Sequence, residues 1–244
     1  VYRPETMAWE DLAGLISGPP PMERSQMGWT SADGRLFLFG GRTPPQDPSS
    51  PFDILHNDVH ALDPSTWQWQ DLSLSATGTS PRARVRMGFA SAGDKLYVFG
   101  GVGGSAQDEF YNDLHALDLS SMAWQDLSAA SSGTRPRGRF EFGFAFVSNK
   151  LYVFGGFAGD IQRPMNDLHA LDLSTMVWES LSLSVSAAPF EPRARFGFTV
   201  EGGRFYMFGG EKDFWPQDRF NDTYVFDPST MLWQDLSLLT TGAE

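Results

Sequence analysis

A pair of glycines closes an apolar run four times in this chain: GRLFLFGG at 34–41, DKLYVFGG at 94–101, NKLYVFGG at 149–156 and GRFYMFGG at 203–210. The frame around each pair is constant. A single glycine (Gly28, Gly88, Gly143, Gly197) stands 12 residues ahead of it, and a Trp follows (Trp69, Trp124, Trp178, Trp233), each Trp six residues after an Asp (Asp63, Asp118, Asp172, Asp227). Self-similarity with a period of about 55 residues marks a series of stacked or radial units, each too small to bury its apolar face alone.

The apolar runs do not alternate. LFLF, LYVF and FYMF are apolar at every position, and a strand of that kind is dry on both faces. The third unit shows four short strands, FGFAFV, KLYVFG, NDLHALD and MVWESL. Tight-hairpin pairs (DG, GD, SN, GG) separate the first two strands of the units, and LST or PST separates the last two. No segment sustains a helical period. Four meandering strands repeated about an axis make a β-propeller, in which each blade packs face to face on its neighbours. A strand near the middle of such a blade has a neighbour on either side and need not alternate.

The predicted fold is therefore all-β: a propeller of four complete four-stranded blades at residues 13–72, 73–127, 128–181 and 182–236. VYRPETMAWEDL at 1–12 aligns with VFDPSTMLWQDL at 225–236, so 1–12 reads as the end of a preceding blade and 237–244 as the start of a linker to a next one. That pattern predicts a segment of a larger six- or seven-bladed ring.

Residues 21–236 resemble the kelch repeat family, whose motif joins a strand ending in Gly-Gly to a downstream Trp. The lead-in to the blades, PRARFGF at 192–198, resembles the family's Pro-Arg-x-Gly-His pattern, with two residues inserted in PRARVRMGF at 81–89 and PRGRFEFGF at 136–144. The chain departs from the family in two places. Leu62, Leu117, Leu171 and Phe226 stand where the family's Tyr precedes the Asp, and Arg plus an apolar residue replaces Gly-His. In kelch substrate adaptors of ubiquitin ligases, lead-in arginines grip acidic peptide side chains; the resemblance carries that role to Arg82, Arg137 and Arg193.

In an antiparallel meander the strand 2–3 loops and the interblade linkers share one face, and here these are the long, variable segments. Variable loops on a rigid scaffold are where binding is usually found. That face holds 13 of the 18 Lys and Arg in a chain whose net charge is −12. The acidic total opposes binding of nucleic acid through the whole surface, while the local arginines favour an acidic protein segment as partner. The predicted contact residues are Arg24, Arg82, Arg84, Arg137, Arg139, Arg193 and Arg195, with Phe214 and Trp215. Arg84, Arg139 and Arg195 also read as interblade struts paired to the Asp of the Asn-Asp pairs, because they recur at one place. Phe52, Phe110 and Phe157 are further loop aromatics.

Little chemistry is indicated. His60, His115 and His169 share one blade position that Tyr224 fills in the fourth copy, and equivalent positions in different blades lie too far apart for one zinc ion. Neither a nucleophile elbow nor a phosphate loop is present in the sequence, and no catalytic residue, metal or cofactor is predicted. The copper site of the galactose oxidase group needs a Cys-linked Tyr, and the chain has no Cys. No apolar run approaches the roughly 18 residues of a membrane span, so the chain reads as soluble, with no membrane insertion. The expectation is a noncatalytic docking propeller. The alternatives are an enzyme or sugar-binding kelch propeller, like the mutarotases or the specifier proteins, and a structural spacer.

Overall fold

The four short strands of each unit pair with their sequence neighbours, as turn chemistry requires. The computed structural model describes residues 1–46, 49–50, 52–104, 108–182, 190–212 and 218–237. Blade 1 is built from Gly28–Ala32, Arg35–Phe39, Val59–Asp63 and Gln68–Asp71, in that spatial order and antiparallel throughout. Blade 2 repeats it with Gly88–Ala92, Lys95–Phe99, Leu114–Asp118 and Ala123–Asp126. Blade 3 uses Gly143–Val147, Lys150–Ala158, Arg163–Asp172 and Val177–Ser180, and blade 4 uses Gly197–Glu201, Arg204–Phe208, Thr223–Asp227 and Leu232–Asp235. Ahead of blade 1, Tyr2–Arg3 and Ala8–Trp9 form a separate two-stranded hairpin. The tight first turns take the positive φ their sequences allow: 49° and 63° at Ser148-Asn149, 56° and 75° at Gly202-Gly203.

The unpatterned second strand is explained by what lies on each side of it. Phe39 and Phe99 end that strand in blades 1 and 2 and Phe154 holds the matching place in blade 3; all are at most 1% exposed, and each packs under the Trp of the following blade. Phe39 meets Trp124 at 5.5 Å between ring centroids, Phe99 meets Trp178 at 5.3 Å and Phe154 meets Trp233 at 4.9 Å. Such contacts bury a large apolar area and add edge-to-face attraction. In blade 4 the second strand alternates: Phe205 and Met207 are buried against blade 3, while Phe208, the counterpart of Phe154, is 57% exposed. The same sequence pattern is thus fully dry only where a blade has neighbours on both sides.

Close to the axis, a glycine of one blade receives an aromatic ring of the next. A Cβ added at Gly28 would lie 2.5 Å from Phe89, one at Gly88 2.6 Å from Phe144, and one at Gly143 2.8 Å from Phe198. These three glycines keep the first strands together and are irreplaceable for reasons of space. The first strands of all four blades line one open hollow of about 420 Å³, whose wall includes Thr30, Ser91, Phe144 and Thr199.

The linkers into blades 2 and 3 also latch onto the blades that they introduce. Thr77–Gly78 runs parallel to Ala123–Trp124, and Ser132–Gly133 to Val177–Trp178. On the opposite, hairpin-bearing side, Asp63, Asp118, Asp172 and Asp227 cap their own turns by accepting the backbone N–H of Ser65, Ser120, Ser174 and Ser229. The recurring Asp ahead of each Trp is therefore turn chemistry.

Candidate partner-docking face

The lead-in segments cross the loop-bearing face and are tied to it before they enter a blade. Ser25 bridges to Arg42, Val85 to Val102 and Ala194 to Glu211, while Arg139–Phe140 pairs with Phe157–Ala158. Counting back from the first-strand glycine sorts the arginines into three kinds.

Four residues ahead of each glycine stand Arg24, Arg84, Arg139 and Arg193; the last three staple their blade to the preceding one, while Arg24 makes the matching side-chain bonds within blade 1. The backbone of Arg139 belongs to the seam with blade 2: its N–H donates to Tyr111 O at 3.2 Å, and its carbonyl accepts Gly101 N–H at 2.8 Å. Its side chain is fully buried in blade 3, donating to both carboxylate oxygens of Asp167 (2.7 and 2.8 Å) and to Gly155 O at 2.8 Å. Arg84 makes the same fork on Asp113, Arg193 on Asp222 and Arg24 on Asp58. Two-point pairing of a planar guanidinium is what this buried geometry demands. The expected partner contacts at Arg24, Arg84, Arg139 and Arg193 are corrected accordingly: their side chains, at most 3% exposed, are closed off from a partner. The expected insertion of two residues is corrected with them. Arg193 is the register mate of Arg84 and Arg139, and Phe190 takes the place that Pro81 and Pro136 hold.

The histidines complete three of these ion pairs. Nε2 of His60, His115 and His169 lies 3.0–3.1 Å from Asp58, Asp113 and Asp167, and Nδ1 of His115 and His169 faces the linker carbonyls of Thr79 and Thr134. In blade 4, Tyr224 replaces the imidazole and packs on Phe190, with ring centroids 4.7 Å apart. Burial alone would raise the carboxyls of Asp113 and Asp167. The hydrogen bonds from Arg and His outweigh it and hold both well below the usual carboxylate range.

Two residues before the staples of blades 2 and 3 lie the exposed arginines. Arg82 has a 77% exposed side chain and reaches Glu109 at 3.3 Å; Arg137, 57% exposed, pairs with Asp160, itself 49% exposed. Arg42 meets Asp53 beside Phe52, which is 47% exposed. Phe110 and Phe157, expected among the loop aromatics, tuck down on Phe140 with ring centroids 5.8 and 5.3 Å away. Phe214 and Trp215 lie outside the described residues.

The third kind sits two residues ahead of the glycine. Gln26, Arg86, Glu141 and Arg195 all adopt φ of 56–59° and form a ladder around the axis: the N–H groups of Arg86, Glu141 and Arg195 donate to the carbonyls of Gln26, Arg86 and Glu141 at 2.9–3.2 Å. Their side chains form a chain of charges that the sequence did not reveal. Arg86 Nε lies 3.3 Å from Glu141, whose other oxygen accepts Arg195 Nε at 2.7 Å; Arg195 then donates to Glu211 at 2.9 Å. Arg195 is therefore a member of this axial chain and not a strut to an Asn-Asp pair. Burial works against charge on Arg195, but its bonds to Glu141 and Glu211 raise its pKa overall.

Comparison with known proteins agrees with this architecture. A model described as the KLHDC2/KLHL20/DRC7 Kelch-repeats domain matches residues 1–130 and 56–243. The chain belongs to the kelch-repeat family. Kelch domain-containing protein 10 of Rattus norvegicus is 30% identical over 224 residues, covering 89% of this chain and 53% of the relative. Acyl-CoA-binding domain-containing protein 5 of Arabidopsis thaliana is 31% identical over 201 residues, covering 82% of this chain and 28% of the relative. Host cell factor 1 of Homo sapiens is 28% identical over 227 residues, covering 86% and 10%. The chain thus spans about half the length, or less, of these relatives. Kelch relatives of this kind suggest a protein-interaction propeller.

Proposed function

We propose that this kelch chain docks a protein partner through an acidic segment, received on the face that carries the strand 2–3 loops and interblade linkers. The observation that carries this reading is the contrast between two arginines of one lead-in. Arg139 is locked in the seam, while Arg137, two residues earlier, stands in solvent paired with an exposed carboxylate; Arg84 and Arg82 repeat the arrangement. Exposed ion pairs of this kind contribute about 0–1 kcal/mol, so a multivalent acidic segment can exchange with Glu109 and Asp160 at little cost. The staples fix the backbone from which Arg82 and Arg137 project, and exposed Phe52 supplies an apolar anchor of the kind found at protein interfaces.

Charge reversal tests this. A fluorescein-labelled hexaglutamate peptide, followed by anisotropy, binds the wild type in a salt-sensitive way, and the double variant Arg82→Glu/Arg137→Glu weakens it by about tenfold or more while the urea midpoint stays put. Affinity unchanged in the double variant, or no salt-sensitive binding by the wild type, overturns the reading.

A further inference from the structure

The repeat supplies its own controls at the ladder around the axis. One backbone slot, with one left-handed conformation, holds Gln26, Arg86, Glu141 and Arg195 in the four blades. A single blade puts a carboxylate there. That carboxylate lies between arginines of the blades on either side, 3.3 Å from Arg86 and 2.7 Å from Arg195, and its side chain is only 16% exposed. Burial disfavours the charge on Arg86, Glu141 favours it, and Arg195 and Arg42 act repulsively on it; Arg42 is itself paired with Asp53. On the blade 4 side, Glu211 accepts from Arg195 at 2.9 Å and lies 3.5 Å from Arg219. Without Glu141, Arg86 and Arg195 would face each other across the place that its carboxylate holds.

We propose that the gap between Arg86 and Arg195 is a carboxylate-binding slot that the protein's own Glu141 occupies, so that an acidic side chain of the docked segment enters it by displacing Glu141. This rests on the docking reading above and adds a regulatory element to it: the face carries an internal competitor that sets its affinity. Exchange of one carboxylate for another conserves the charge pairing of both arginines, so displacement costs chiefly the reorientation of a largely buried side chain, 16% exposed, and is favoured by a ligand of several linked carboxylates.

Two experiments decide it. Glycine tolerates the 56° φ of residue 141, so Glu141→Gly empties the slot without backbone strain. Sodium propionate at 100 mM raises the melting temperature of this variant by roughly 3–5 °C over propionamide with sodium chloride at equal ionic strength, and leaves the wild type unmoved. Equal effects of propionate and propionamide overturn the slot. Should Glu141→Gly not fold, Glu141→Gln decides alone: it binds hexaglutamate about tenfold tighter than the wild type, and equal affinity overturns the proposal. Rescue by propionate with no hexaglutamate binding by any variant leaves the slot standing and removes the docking reading. Equal hexaglutamate binding by wild type and Glu141→Gln, with no rescue, does the reverse.

Discussion

Replacing Arg139 by Ala should be far more damaging than replacing Arg137, although the two are separated by one residue. Arg139 is fully buried and satisfies both oxygens of Asp167, the carbonyl of Gly155 at 2.8 Å and the carbonyl of Arg137 at 3.2 Å. Its removal leaves the Asp167 carboxylate, 18% exposed, with the His169 imidazole at 3.0 Å as its remaining side-chain partner. Breaking a buried pair from one side costs about 3–5 kcal/mol, because the surviving charge stays desolvated. Losing Arg137 removes an exposed pair worth about 0–1 kcal/mol. For a chain of this size those figures translate to a fall of about 6–20 °C in melting temperature against about 4 °C or less. Urea unfolding followed by Trp fluorescence gives the comparison directly, since Trp178 packs at the blade 2–3 seam beside this staple. Arg139→Lys should recover only part of the loss, as an ammonium cannot span both carboxylate oxygens and the carbonyls at once. Urea midpoints for Arg139→Ala and Arg137→Ala that agree within error would refute the staple argument.

Two further outcomes follow from the seams. Gly88→Ala should destabilise by about 1–3 kcal/mol, because its Cβ would sit 2.6 Å from Phe144 in a packed interior; Gly197→Ala, with no atom closer than 3.7 Å to its Cβ, should be near neutral, and comparable urea midpoints for the two would contradict the socket. Acid should open the seams. Asp58, Asp113 and Asp167 have depressed folded-state pKa values, so their contribution is complete above the unfolded value of 3.8 and drains away as pH falls below it toward the folded value. Melting temperatures measured from pH 6 to pH 2 should therefore fall most steeply below about pH 4, and the fall should be shallower in Asp113→Asn/Asp167→Asn.

The propeller was legible because its causes are local and repeated. An unpatterned strand, a diglycine and a distant Trp have one joint explanation, blade-on-blade burial, and the four copies supplied it independently. The site was harder, since its decisive facts concern register. Reading PRAR as one motif placed Arg193 with Arg82 and Arg137 and set Arg195 beside Arg84 and Arg139. Alignment on the first-strand glycine, the residue that must accept the next blade's ring, gives the true correspondence and places every fully buried arginine in one column. That signal was present in the sequence, because Gly28, Gly88, Gly143 and Gly197 each follow an Arg by four residues.

What no column displays is a relation between columns of different blades. Glu141 meets Arg86 and Arg195 across two seams and 54–55 positions of sequence, and only the left-handed turn shared by the slots aims the three side chains at a common axis. A fourfold repeat conserves the scaffold in every copy, so the residues that break the repeat are free of that duty and carry individual properties. Glu141 breaks it with a charge opposite to its neighbours, at the centre of the face where the loops converge. A role limited to holding the left-handed backbone slot would be met as well by a neutral hydrogen-bonding residue such as Gln26 in blade 1. An internal competitor, by contrast, requires the carboxylate itself, and for that reason Glu141→Gln separates the two explanations more sharply than any truncation.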